Sequence, residues 1–272
     1  MTRRREAITP PETIADLLGA AGADLVLVGG QALAFWAIRF GIAPPPTRTA
    51  AISHDVDFLA PSAADVASVE RLAASIGANA FYPHQRALTS LVGQAIRDLP
   101  DDEYINVDVI FKIVGIEAGA VRKRAVPVTD AVTKVEFRVM HPLDVLGSRL
   151  LNLHKLAEKQ NDKGRMQLGL AIQVAREFLR REGKELPPKE MASGRSPIQD
   201  YVSFIEKLAK DDAGRKVADR HGLHVADAID PRPIPYGPFW SKRWPALQKL
   251  MSEAYRAGIE APRPKRSKGA PQ

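Results

Sequence analysis

The sequence predicts an α/β (α+β) protein: strands and helices in the N-terminal part, followed by a helical C-terminal region. Three observations carry this. The apolar run "DLVLVGG" stops at Gly29-Gly30 and turns into the helical spacing of "QALAFWAI". "YINVDVIFKIVG" alternates, with Ile105, Val107, Val109 and Phe111 on one side and Asn106, Asp108, Ile110 and Lys112 on the other, the period-two mark of a strand. From Pro142 the apolar residues Leu143, Leu146, Leu150, Leu153 and Ala157 recur at a three–four spacing, which is helical.

Thr9-Pro10-Pro11-Glu12 reads as a capping box opening the first helix, with Ile14, Leu17 and Leu18 inward and Gly22 at its stop. "DLVLV" follows as a buried strand, and "DVDFLA" as the next, ended by Pro61. Ser62 and Asp65 repeat the capping pattern ahead of "SAADVASVERLAASIG", whose buried stripe is Val66, Val69, Leu72, Ala73 and Ile76. Residues 79–99 read as short strands and turns, and "VEFRVM", 135–140, as a further strand. A helix over roughly 164–182 carries Leu168, Ile172, Ala175 and Leu179.

After the polar linker "REGKELPPKEMASGRSP" come shorter helices around 197–228, a turn-rich stretch, a final helix over 245–257 and the basic tail "APRPKRSKGAPQ". The expected organisation is an α/β domain over 1–140, a helical pair over 141–183 packing on it, and a basic helical region over 184–260. Residues 261–272 form a tail with little to bury. There is no internal repeat.

The formal net charge of +7 and the pI near 9.6 favour polyanionic partners such as nucleotides or nucleic acid. Zero cysteines exclude disulfides, thiolate catalysis and Cys-ligated zinc. A reducing cytoplasm fits that. The basic start "MTRRREAITPPE" has no apolar stretch after it, so secretion is not expected. No run approaches the roughly 18 apolar residues of a membrane span, so a membrane is not an expected partner.

The chemistry centres on Asp55 and Asp57. At i and i+2 on a strand they share a face, and their repulsion in an apolar setting would force one to keep a proton. A divalent cation removes that difficulty, since Mg²⁺ is held by one or two carboxylates plus water and phosphates. Asp108, on the polar side of its strand, is the candidate third carboxylate of a two-metal clamp. Gly29 and Gly30 open a helix whose N-terminal N–H groups suit a phosphate.

The ordered set "VGG", helix, loop, "S-H-D-V-D-F" and a later "VDV" strand resembles the nucleotidyltransferase superfamily of polymerase-β-like fold over about residues 20–112. Within it the chain is similar to the AbiEii-like group of type IV toxin–antitoxin nucleotidyltransferases. Lys155, Lys159 and Asp162 in "LHKLAEKQNDKGRMQL" match in part the Lys/Arg-rich motif of that group, and Arg165 stands where an aspartate is usual. The resemblance implies a nucleotidyltransferase-like mixed sheet and transfer of an NMP from an NTP to an acceptor hydroxyl. The acceptor stays open among RNA such as a tRNA end, a protein side chain and a small molecule.

It further implies two Mg²⁺ ions, with Mn²⁺ as substitute, on Asp55, Asp57 and Asp108, which are the catalytic and metal residues. Gly29, Gly30, Gln31, Ser53 and Lys155 would bind nucleotide, and a cognate antitoxin is an implied partner. Arg39 and Arg48 are read first as surface charge and second as triphosphate contacts, and His54 as solvent-exposed. The cluster Phe239, Trp240, Lys242, Arg243, Trp244 fits a small core better than a stacking surface for single strands. Two alternatives stand beside the transferase: a catalytically inactive nucleotide- or RNA-binding module of the same fold, and a metal-dependent phosphohydrolase. The second is disfavoured because no histidine accompanies the aspartates.

Overall fold

The computed structural model describes residues 4–43, 53–84, 86–130, 133–186 and 196–260. Arg48, the linker residues 187–195 and the tail 261–272 lie outside the described residues. The chain divides into two compact units, Met1–Ala171 and Ile172–Gln272.

The first unit is built on a mixed sheet of eight strands. These are β1 (Arg5–Glu6), β2 (Val26–Val28), β3 (Val56–Leu59), β4 (Asn79–Phe81), β5 (Leu91–Asp98), β6 (Glu103–Ile110), β7 (Val126–Thr129) and β8 (Glu136–Val139). Their order is β4-β5-β6-β3-β2-β8-β7, with β1 also pairing to β6. β3 runs parallel to β6 and antiparallel to β2, and β2 runs parallel to β8. β5 takes one edge of β6 from Tyr104 to Ile110, so β1 and β3 share the other, β1 at Glu103–Tyr104 and β3 at Val107–Ile110. β1, β7 and the short helix α4 (Ala118–Arg124) are elements that no sequence pattern announced.

The helices α1 (Pro11–Ala21), α2 (Gly29–Phe40), α3 (Val66–Ile76) and α5 (Pro142–Lys155) flank the sheet. α1 packs on α3, α3 on β5, and α2 on β3 and α5. Phe58, Leu59, Ile105 and Val107 are fully buried in the resulting core, as are Leu33, Leu146 and Leu150 from the helices. The division between units falls inside the 24-residue helix α6 (Asp162–Glu185).

Both expected capping boxes are corrected. α1 begins at Pro11 with Pro10 at its N-cap and no side-chain cap. Thr9 sits one residue too early, and its hydroxyl donates instead to the carbonyl of His54 at 2.9 Å. α3 begins at Val66, so Ser62 lies outside it and Val66 is 41% exposed rather than inward.

In the second unit, helices Pro197–Lys210 and Asp212–His221 and a 3₁₀ turn at Val225–Ala228 follow the expected pattern. The expected single helix over 245–257 is instead broken into Trp244–Leu247 and Glu253–Ala257, with Ser252 capping the latter. Phe239, Trp240 and Trp244 are buried, with ring centroids 5.4–6.1 Å apart, and Trp240 Nε1 donates to the carbonyl of Ile234. Aromatics sealed in this way have no face to offer a base, so they form a core and not a stacking platform.

Candidate active site

Strand register brings the carboxylates together. Asp57 pairs with Val28 on one side and Asp108 on the other, and Asp108 in turn pairs with Gln94 of β5. Residues directly opposite across a ladder share a face. Asp55, two residues before Asp57 and one before β3 begins, lies on that face as well. Asp55, Asp57 and Asp108 each offer a carboxylate oxygen, and these atoms lie within 4.8 Å of one another.

Each carboxylate is held differently. Asp108 Oδ1 accepts from Gln94 Nε2 at 2.8 Å and Asn106 Nδ2 at 2.9 Å. Asp55 Oδ1 accepts from Ser53 Oγ at 2.6 Å. Asp57 rests against the start of α2. A Cβ on Gly29 would lie 1.8 Å from Asp57 Oδ2, and one on Gly30 would lie 2.3 Å from Ser53 Oγ. Gly29 also has φ +68°, the left-handed region that favours glycine. The double glycine is thus required by the approach of the site's own side chains, a reason additional to any ligand.

Crowding of like charges shows in the protonation. Burial first, then Asp55 and Asp108, push the Asp57 carboxyl up to about 7, while Arg149 and Lys159 pull the other way. Burial also raises Asp108, and its two amide donors oppose the rise. Three hard oxygen donors in one small cluster, one driven to keep a proton at neutral pH, make a donor set that fits a divalent cation of the Mg²⁺ or Mn²⁺ type.

These residues line a cavity of about 330 Å³, at the lower end of the roughly 300–1,000 Å³ typical of small-molecule sites. Gly29, Gly30 and Ser53 share its wall with the three aspartates. α5, the turn after it and the start of α6 contribute Arg149, Asn152, Lys159, Lys163 and Gln167 to the same wall. Arg149 is 8% exposed; it donates to Gln167 Oε1 and Ser148 Oγ, both at 3.3 Å, and its Nε is buried without a hydrogen-bond partner among the described residues. Burial lowers its pKa, and Asp57 and Asp55 raise it. This guanidinium keeps a donor to spare, and the charges of Asp57 and Asp55 offset part of the cost of burying it.

The remaining expected site residues distribute as follows. Gln31 donates from Nε2 to the carbonyl of Ser53 at 3.4 Å and supports the Asp55 loop instead of lining the cavity. Lys155 is exposed and outside the cavity wall, with Nζ beside Gly115. The lysine one helical turn on, Lys159, sits in the wall because α5 ends at Lys155 and the 3₁₀ turn Ala157–Lys159 redirects the chain. Arg39 is exposed over the Phe35 ring. His54 is not simply exposed: it is half-buried, with Nδ1 3.4 Å from the carbonyl of Glu6.

Arg149 escaped the sequence reading because it falls inside the leucine stripe of α5, between Leu146 and Leu150. An arginine flanked by that stripe was the available signal. No protein-family model matches this chain, and neither does any curated protein.

Proposed function

We propose that the protein is a Mg²⁺-dependent nucleotidyltransferase of polymerase-β-like fold. The supporting observation is the convergence of Asp55, Asp57 and Asp108 within 4.8 Å in a cavity also lined by Arg149, Lys159 and Lys163. Carboxylates and cations lining one cavity suit a metal–polyphosphate ligand, which carries both charges.

Asp55, Asp57 and Asp108 would hold the ions. Such ions, when bound, neutralise phosphate charge and orient an in-line displacement. Arg149, Lys159 and Lys163 bind the β- and γ-phosphates, supplying the nucleotide-binding charge expected of Lys155. Gly29 and Gly30 bring the start of α2 to the same cavity. The acceptor oxygen attacks the α-phosphorus, the bond from that phosphorus to the pyrophosphate oxygen breaks, and pyrophosphate leaves with the electron pair. Asp108 takes the acceptor's proton. The acceptor class is RNA, a protein side chain or a small molecule, and the AbiEii-like resemblance adds a cognate antitoxin as a proposed partner.

The test is incubation with each α-labelled NTP, Mg²⁺ and total RNA or cell extract. Label should enter an acceptor and be lost in Asp57→Ala. Folded wild-type protein that binds NTP but labels nothing would leave the inactive binding module instead.

A further inference from the structure

We infer that Thr9 is a positioning residue for the metal carboxylate Asp55, so that the segment ahead of α1 is part of the site. This rests on the metal-binding reading above. Asp57 and Asp108 lie within paired strands, and the ladder sets their place. Asp55 has no such support, since β3 begins only at Val56.

What holds the Asp55 loop comes from elsewhere in the chain. The carbonyl of His54 accepts two donors from one residue, Thr9 Oγ1 at 2.9 Å and Thr9 N at 3.3 Å. The carbonyl of Ser53 accepts from Gln31 Nε2 at 3.4 Å. Thr9 is 2% exposed, so these bonds form out of water, where an unmade partner is costly.

Thr9 is itself anchored. Residues 5–7, just ahead of it, run along β6 in the space that β3 leaves, with Arg5 N donating to the carbonyl of Asp102 and Ala7 N to that of Tyr104, each at 2.9 Å. Arg4 pairs with Asp98, and Arg5 with Glu103, on either side of the turn that joins β5 to β6. The strap thus ties the hairpin that carries Asp108 to the loop that carries Asp55. One segment sets the spacing between two of the three carboxylates.

The experiment is Mn²⁺ binding, followed by the loss of the free-ion electron paramagnetic resonance signal, on the full chain without nucleotide. Thr9→Val keeps the shape and removes only the hydroxyl. It should weaken Mn²⁺ on the order of threefold to tenfold, the worth of one buried hydrogen bond. Thr9→Ser should restore most of the affinity, which a loss of packing alone would not allow. Should Thr9→Val misfold, Thr9→Ser and Gln31→Ala, compared with wild type, carry the test through the same loop. Wild-type affinity in a folded Thr9→Val overturns the inference and leaves the function standing. Absence of Mn²⁺ binding in the wild type overturns both.

Discussion

Asp57 and Asp108 lie directly opposite each other across the parallel β3–β6 ladder, with Asp55 completing a cluster whose oxygens fall within 4.8 Å. Adjacent strands place paired side chains about 5 Å apart, so the register itself imposes the repulsion. The fold carries that repulsion with Arg149 and Lys159 nearby.

The first consequence concerns stability without metal. Asp57 titrates at about 7 in the folded chain and near its ordinary 3.8 when unfolded. A raised carboxyl favours the folded state below the unfolded value, and that contribution is lost as pH rises through the folded one. Thermal unfolding in EDTA should therefore show stability falling between about pH 4 and pH 7 by at most ~4 kcal/mol. Asp57→Asn should flatten that fall. A slope of the opposite sign in this window would contradict the assignment.

Metal binding should carry the same proton. Below about pH 7 a cation must displace it from Asp57, so apparent Mg²⁺ or Mn²⁺ affinity should drop by up to about tenfold per pH unit. Calorimetry in buffers of different ionisation enthalpy would count the proton released.

Gly29→Ala forces a Cβ to within 1.8 Å of Asp57 Oδ2 at a φ of +68°. It should cost roughly 2 kcal/mol or more of stability and abolish metal binding. Gly22→Ala, also at positive φ but with no atom within 4 Å, should cost only the backbone strain. The comparison, by denaturant unfolding and metal titration, separates strain from the clash at the site.

Arg149→Met removes a buried guanidinium with an unpartnered Nε. NTP affinity should fall roughly 10–100-fold, the scale of hydrogen bonds to charged groups. Asp57 should titrate still higher, having lost a compensating charge. Nucleotide titration and a carboxyl-resolved NMR pH series would read the two effects apart.

Lys155→Ala should change NTP affinity by less than twofold, since its Nζ lies beside Gly115 and outside the cavity wall. Lys159→Ala should weaken it several-fold, as loss of one partly screened charge does. The reverse order would return the role to Lys155.

Much of the fold was legible because it follows from period and punctuation. The alternation around Asp108, the apolar run into Gly29-Gly30 and the leucine stripe of α5 each correspond to an element where the spacing places it. Local patterns misled where one residue decides a cap. Thr9 looked like a capping residue because Glu12 stands three positions on, yet its hydroxyl is taken by His54. β1, β7 and α4 were illegible because two-to-seven-residue elements have too few positions to show a period.

By itself the sequence determined that Asp55 and Asp57 share a face, that two glycines open a helix, and that an acidic residue marks the polar side of a later strand. Those are properties of bonded neighbours, set by backbone geometry. Only the tertiary structure decided that Asp108 stands opposite Asp57, and that Gly29 is glycine because Asp57 presses on it. It alone put Arg149, Lys159 and Lys163, rather than Lys155, in one cavity with the carboxylates. Strand order and the turn after α5 depend on contacts between residues far apart in the chain. No local period encodes them.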